Sequence, residues 1–215
     1  MIARTRIYLA LLGAVMASAG GIALVITDSG SGAARPDYLT VSALPGVDLA
    51  ELQTLPGLSA TSGPFPSIAI GVSYGGRVAD VVVEGRTVRR SAVGEPQVMR
   101  GSWARAGTLV LDETAARRID APVGAAVTVS TAGGAEALRL SGTSHTGRRV
   151  SSGAEPARAY VTQDTLARIA PNRRTWSWTM SLELAEPSKV STYVRWMRQR
   201  YSFRQAAVAV RSPSG

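Results

Sequence analysis

The sequence predicts an α+β fold, and three observations carry that prediction. Thr175 to Leu184 (TWSWTMSLEL) alternates strictly. Trp176, Trp178, Met180, Leu182 and Leu184 fall on one side, and Thr175, Ser177, Thr179, Ser181 and Glu183 on the other, as in an antiparallel strand with one wet face. Ile68 to Tyr74 and Arg77 to Glu84 flank Gly75-Gly76, a pair suited to the positive φ of a two-residue hairpin turn. Short capped helices then interleave with strands without a regular βαβ run, and the hairpins are local, which selects α+β over α/β.

Taken in order, the chain opens with an uncharged run of 20 residues, Ile7 to Ile26. A helix of that length rises about 30 Å, the hydrocarbon thickness of a bilayer. Arg4 and Arg6 precede the run and Asp28 follows it, so the positive-inside rule places residues 1–6 in the cytoplasm and the remainder outside. Ala17-Ser18-Ala19 has the small-x-small form of a signal-peptidase site, and a cleaved signal is the rival reading; the length of the run favours an uncleaved anchor. Residues 27–37, rich in Gly, Ser and Ala, read as a flexible tether, with folded structure starting near Tyr38.

Val47 to Leu52 has the signature of a helix start, with Asp48 as cap, Glu51 reaching back and Val47 packing on Leu52, before Pro56-Gly57 stops it. After the Gly75-Gly76 hairpin, Thr108 to Leu111 reads as a strand and Asp112 to Ile119 as a helix with an acidic start and later arginines. Val127 to Ser130 and Ala137 to Leu140 pair across a loop holding Gly133-Gly134, and Gly142 to Pro156 reads as a mobile Gly- and Ser-rich stretch. Arg158 to Val161 is a strand leading into the helix Gln163 to Ile169, capped by Thr162. Pro187-Ser188 opens a helix to about Tyr201 with a stripe of Val190, Tyr193, Val194, Met197 and Tyr201, and Ala206 to Val210 offers a last strand.

Composition excludes several chemistries. The 215 residues contain no Cys, which removes disulfide frameworks, thiolate metal sites and cysteine nucleophiles, and the single His removes sites that need two imidazoles. No Gly-x-x-x-x-Gly-Lys motif is present, so ATP is not bound by that device. The net charge of +9 rests almost wholly on arginine, in scattered pairs (Arg89-Arg90, Arg117-Arg118, Arg148-Arg149, Arg173-Arg174) rather than a stripe. With an exported location, that argues against nucleic acid as a partner.

The order of the pieces resembles a known family. A spanning helix, a short tether, a "PGV…LPGL" segment and then "VMRGSWARAGTLVLDETAARRIDAPVGAAVTV…LRLSGT" are similar to the extracytoplasmic core domain of MacB-like and FtsX-like ABC transporter permeases. The residues that carry the likeness are Gly101, Trp103, Leu109-Val110-Leu111, Asp112 or Glu113, Ala115-Ala116, Gly124 with the alternating valines, and Gly142; "ARAYVTQDTLARI" (Ala157 to Ile169) matches the return strand and helix. The resemblance implies a porter-like α+β subdomain of two segments, 38–87 and 157–215, with a mostly-β subdomain inserted at 88–156. It also implies a non-enzymatic coupling or interaction role, with a cytoplasmic ABC ATPase reached indirectly through permease helices that this sequence does not contain, and a second copy or a permease as neighbour in the membrane. The alternative is a stand-alone anchored binding or sensor module.

No catalytic, cofactor-binding or metal-ligating residue is expected. Ser144-His145 could be a nucleophile and base, but adjacent residues do not present the two in line and no third partner is apparent. Asp112-Glu113 at a helix start reads as dipole stabilisation, and Trp176 and Trp178, within an apolar alternation, read as core.

Overall fold

The computed structural model describes residues 22–28, 38–43, 49–86, 93–131, 133–145, 157–202 and 206–211. Eleven strands fall among them: β1 (Ile22–Asp28), β2 (Tyr38–Ala43), β3 (Leu58–Tyr74), β4 (Arg77–Arg86), β5 (Gln97–Gly101), β6 (Thr108–Asp112), β7 (Ala126–Thr131), β8 (Gly134–His145), β9 (Ala157–Thr162), β10 (Ser177–Leu184) and β11 (Ala206–Arg211). Three α-helices accompany them: α1 (Glu113–Ile119), α2 (Gln163–Ile169) and α3 (Val190–Ser202). The class is α+β.

The strands are hydrogen-bonded in the order β11-β1-β2-β10-β3-β4-β9-β6-β8-β5, and β7 bridges β3 and β8. That bridge closes a ring of six strands, β3-β4-β9-β6-β8-β7. A closed ring leaves no open edge within itself. Every strand of the ring contributes inward residues to one core: Ile70 and Val72, Ala79, Val81 and Val83, Leu109 and Leu111, Val127 and Val129, Leu138 and Leu140, Ala159 and Val161. Ala115, Ala116 and Ile119 of α1 and Leu166 and Ile169 of α2 complete that core.

The ring is built from two copies of one plan, β3-β4-β6-α1 and β7-β8-β9-α2. Exchanging the copies maps each pairing onto another. The hairpins β3-β4 and β7-β8 are antiparallel, β4-β9 and β8-β6 are parallel, and the like strands meet antiparallel, β3 with β7 and β6 with β9. The copies share local chemistry as well. Asp112 accepts the amide of Thr114 at 2.8 Å to cap α1, and Thr162 accepts that of Thr165 at 3.2 Å to cap α2. Each helix runs seven residues and ends on an isoleucine, Ile119 or Ile169. The β3-β4 hairpin turns at Gly75-Gly76, which adopt φ of 54° and 80°, as a primed turn requires, and the β7-β8 hairpin closes with Thr131 opposite Gly134.

A second core lies on the sheet formed by β2 and β10. Leu39, Val41 and Ala43 of β2, Met180, Leu182 and Leu184 of β10, Leu49 and Leu52, and Met197 of α3 pack together there. β3 joins the two cores. Its first half pairs with β10 and its second with β4 and β7, and the register against β10 shifts between Thr179 and Ser181, opposite the Gly63-Pro64-Phe65-Pro66 stretch.

Several expectations change. The helix foreseen at Val47 to Leu52 is a 3-10 turn over Ala50–Thr54 whose N-cap is Leu49, with no side-chain cap; Val47 and Asp48 lie outside the described residues. The side of β10 read as wet is largely covered: Thr179 and Ser181 are buried toward the ring, and Ser177 and Glu183 at its ends are half-buried. Residues 142–145 of the stretch read as mobile continue β8, paired to β5, and residues 146–156 lie outside the described ones. Of the expected spanning helix, residues 7–21 are outside the described residues, and 22–26 form most of β1. A short β-branched apolar run serves either element, so periodicity alone could not separate them. Among the described residues no helix is long and apolar enough to cross a membrane.

Candidate functional site: a buried charge cluster between the cores

Where the ring meets the β2-β10 sheet, the sequence places charge out of water. Val81 and Val83 of β4 point into the ring, so the alternation turns Glu84 and Arg86 to the outside. The parallel register sets Glu84 beside Tyr160 and Arg86 beside Thr162. Arg158, two residues before Tyr160, shares that outer face. Glu84 is fully buried and Arg86 is 5% exposed.

The carboxylate of Glu84 is held from both sides. Arg86 Nε donates to Oε2 at 2.9 Å, and Arg158 donates through a guanidinium nitrogen to Oε1. Arg86 also reaches the Gly94 carbonyl at 3.4 Å. Its guanidinium lies 4.3 Å from the centroid of the Phe65 ring and 5.3 Å from that of Tyr160, geometry that favours a desolvated cation. Tyr160 in turn meets Trp103, with ring centroids 5.4 Å apart. Burial pushes the Glu84 carboxyl upward, but the charges and hydrogen bonds of Arg86 and Arg158 outweigh it and hold its pKa below the ordinary value. The buried Tyr160 hydroxyl, near the Glu84 charge, is pushed well up and stays protonated.

Hydroxyls from the other core face this cluster. Thr40 of β2 and Thr179 and Ser181 of β10 line a small cavity with Glu84, Arg86, Arg158 and Tyr160. Its volume is about 20 Å³, room for about one water molecule. Ser67 and Thr179 hydroxyls lie 3.3 Å apart, and the Val93 amide donates to Ser62 Oγ at 3.0 Å, so the seam is polar along its length. It can hold two packed cores in one relative position.

The residues singled out from the sequence go elsewhere. His145 ends β8 exposed, whereas Ser144 is fully buried and its hydroxyl has no hydrogen-bond partner among the described residues; consecutive strand residues point to opposite faces, so the two form no pair. Asp112 is the cap of α1, and Glu113 is paired to Arg117 at 3.1 Å on the same helix. Trp176 packs into the ring core with its indole donating to the Ala170 carbonyl at 2.9 Å, while Trp178 packs against the second core. Among the described residues no group of three or more His, Cys, Asp or Glu is placed to hold a metal ion. Sequence reasoning missed Glu84, Arg86 and Arg158. The signal was present: a glutamate and an arginine two positions apart at the end of a valine run share one face of a strand that has little reason to carry charge.

No protein-family profile matches the chain, and no curated protein does. Solved structures do show likenesses. The extracellular domain of the noncanonic ABC-type transporter YknZ from Gram-positive bacteria matches at 13% identity and a TM-score of 0.45, over 74% of this chain and 84% of that one. The periplasmic region of MacB from Actinobacillus actinomycetemcomitans matches at 13% identity and 0.43, over 79% and 86%. A permease-protein domain from Porphyromonas gingivalis matches at 14% identity and 0.38, over 73% and 76%.

Proposed function

We propose that the chain is a membrane-anchored, non-enzymatic extracytoplasmic domain that couples an ABC permease of the MacB/FtsX kind to something outside the membrane. The reading draws on the sequence resemblance and on the uncharged run that follows Arg4 and Arg6. The observation that carries it in the fold is the Arg86–Glu84–Arg158 cluster between two cores threaded by one strand. Such a seam resists relative displacement, as a part that passes movement on must. The inserted unit then runs from the change of core within β3 to Trp176, wider than 88–156, because β4, β9 and α2 pack with the ring. The ATPase partner sits across the membrane and acts through permease helices, and a second copy or a permease is the neighbour within it.

Reading the DNA past the codon for Gly215 is the first test: three apolar spans in frame support a permease, and their absence favours the stand-alone anchored module. The second is purification of the full chain from its native membrane in mild detergent. An ABC ATPase should co-purify in stoichiometric amount, and its absence after chemical cross-linking overturns the coupling role.

A further inference from the structure

Residues 22–26 are wanted by two elements at once. As the end of the uncharged run they complete 20 residues, about 30 Å of helix, which matches a bilayer core. As the body of β1 they pair with β11 from Ile22↔Ala206 to Thr27↔Arg211, and with β2 from Val25↔Ser42 to Asp28↔Leu39. With β1 formed, the uncharged run retains 15 residues, about 22 Å of helix, well short of the hydrocarbon thickness. The chain cannot satisfy both in full.

We propose that Ile22–Ile26 exchanges between these two states, strand in the ectodomain sheet or final turn and a half of the membrane helix, and that bilayer thickness selects the state. This rests on the anchored reading above. Local chemistry suits the exchange: Gly20-Gly21 precede the segment, where a chain can break from helix to strand at little steric cost, and Ile22, Val25 and Ile26 are β-branched. A thin bilayer leaves the segment to the sheet, and a thick one draws it in to relieve mismatch. The effect does not stop at β1. Among the described residues β1 is the only strand that pairs with β11, and α3 packs on β11, so withdrawal of β1 frees that whole edge.

The absence of cysteine makes the test clean. Val25→Cys with Ser42→Cys places two thiols on facing residues of β1 and β2, where antiparallel partners lie about 4.5–5.5 Å apart and can be bridged. The full chain is reconstituted in phosphatidylcholine vesicles with 14-, 18- or 22-carbon monounsaturated chains, floated after a carbonate wash, and oxidised. Disulfide yield should fall at least threefold from the thinnest bilayer to the thickest. A second pair, Thr40→Cys with Ser181→Cys across β2 and β10, should give the same yield in all three. A thickness-independent yield for the first pair overturns the exchange while leaving the anchor standing. A parallel fall in the second pair also overturns it, since the whole sheet would then be lost. Failure to float overturns the anchor itself, and the exchange with it.

Discussion

The two halves of the ring share one chain path and differ in what covers their outer faces. Beside Tyr160, two residues before the cap Thr162, stands Glu84; at the matching place beside Val110, two residues before the cap Asp112, stands Gly142. Arg86 is set beside Thr162, and Ser144 beside Asp112. One half therefore presents charge and the other almost no side chain. The reason lies in the cover. The first face meets the separate β2-β10 sheet through a polar seam, whereas the second is crossed closely by the chain's own backbone: a Cβ on Gly142 would lie 2.7 Å from the carbonyl oxygens of both Arg100 and Ser102. Symmetry is kept where the ring must close and abandoned where each half meets a different neighbour.

The sharpest way to break this contrast is Glu84→Gln. It leaves Arg86 and Arg158 without the carboxylate they share in a buried site, a class of change that costs about 3–5 kcal/mol. Urea unfolding followed by tryptophan emission should show the unfolding free energy falling by that amount, and an unchanged midpoint and slope would mean that the seam contributes nothing. The second effect comes from the opposite half. Gly142→Ala forces its methyl into two backbone oxygens, and about 1–3 kcal/mol of destabilisation should appear in the same assay.

Acidity gives a third, smaller handle. Because the folded pKa of Glu84 lies below the unfolded value, its contribution is fully present above the ordinary carboxylate value of 4.5 and is lost as pH falls from there through the folded pKa. The wild-type chain should lose stability over that window more steeply than Glu84→Gln, and equal slopes would contradict the ion pairing. At matching positions the halves should behave alike. Asp112→Ala and Thr162→Ala each remove the cap bond to a backbone amide, Thr162→Ala also a hydroxyl bond to Thr165, and each should cost about 1 kcal/mol. A difference of more than about 1 kcal/mol between them would show that the two copies are not equivalent even locally. Smallest of all, the exposed His145→Ala should stay within about 0.5 kcal/mol of wild type.

What was legible in the sequence was local. The Gly75-Gly76 turn, the strand-cap-helix units at Asp112 and Thr162, and the helix after Pro187 all depend on neighbours within a few residues, and each formed close to where the pattern put it. The ring itself was not legible. Its closure needs β4 to lie parallel to β9 and β6 parallel to β8, and no local pattern announces a partner so distant. The hairpin pattern places β3 from Ile68, whereas the strand begins at Leu58; Gly63, Pro64 and Pro66 lie at the irregularity where it passes from one core to the other. The charge cluster was hidden for the same reason as the ring, since Arg158 meets Glu84 only through that parallel pairing.

The parallel pairing of β4 with β9 also sets a clock. β4 is complete at Arg86, yet one of its edges waits for residues 157–162, roughly 70 residues later in the chain. At about 5–20 residues per second of synthesis that is some 4–14 seconds during which a valine-rich edge stands unpaired. Neither half can close a ring alone, so early compaction yields two open hairpins rather than a folded half. Slow, late-closing folding follows, with the danger concentrated in the run Val81-Val82-Val83.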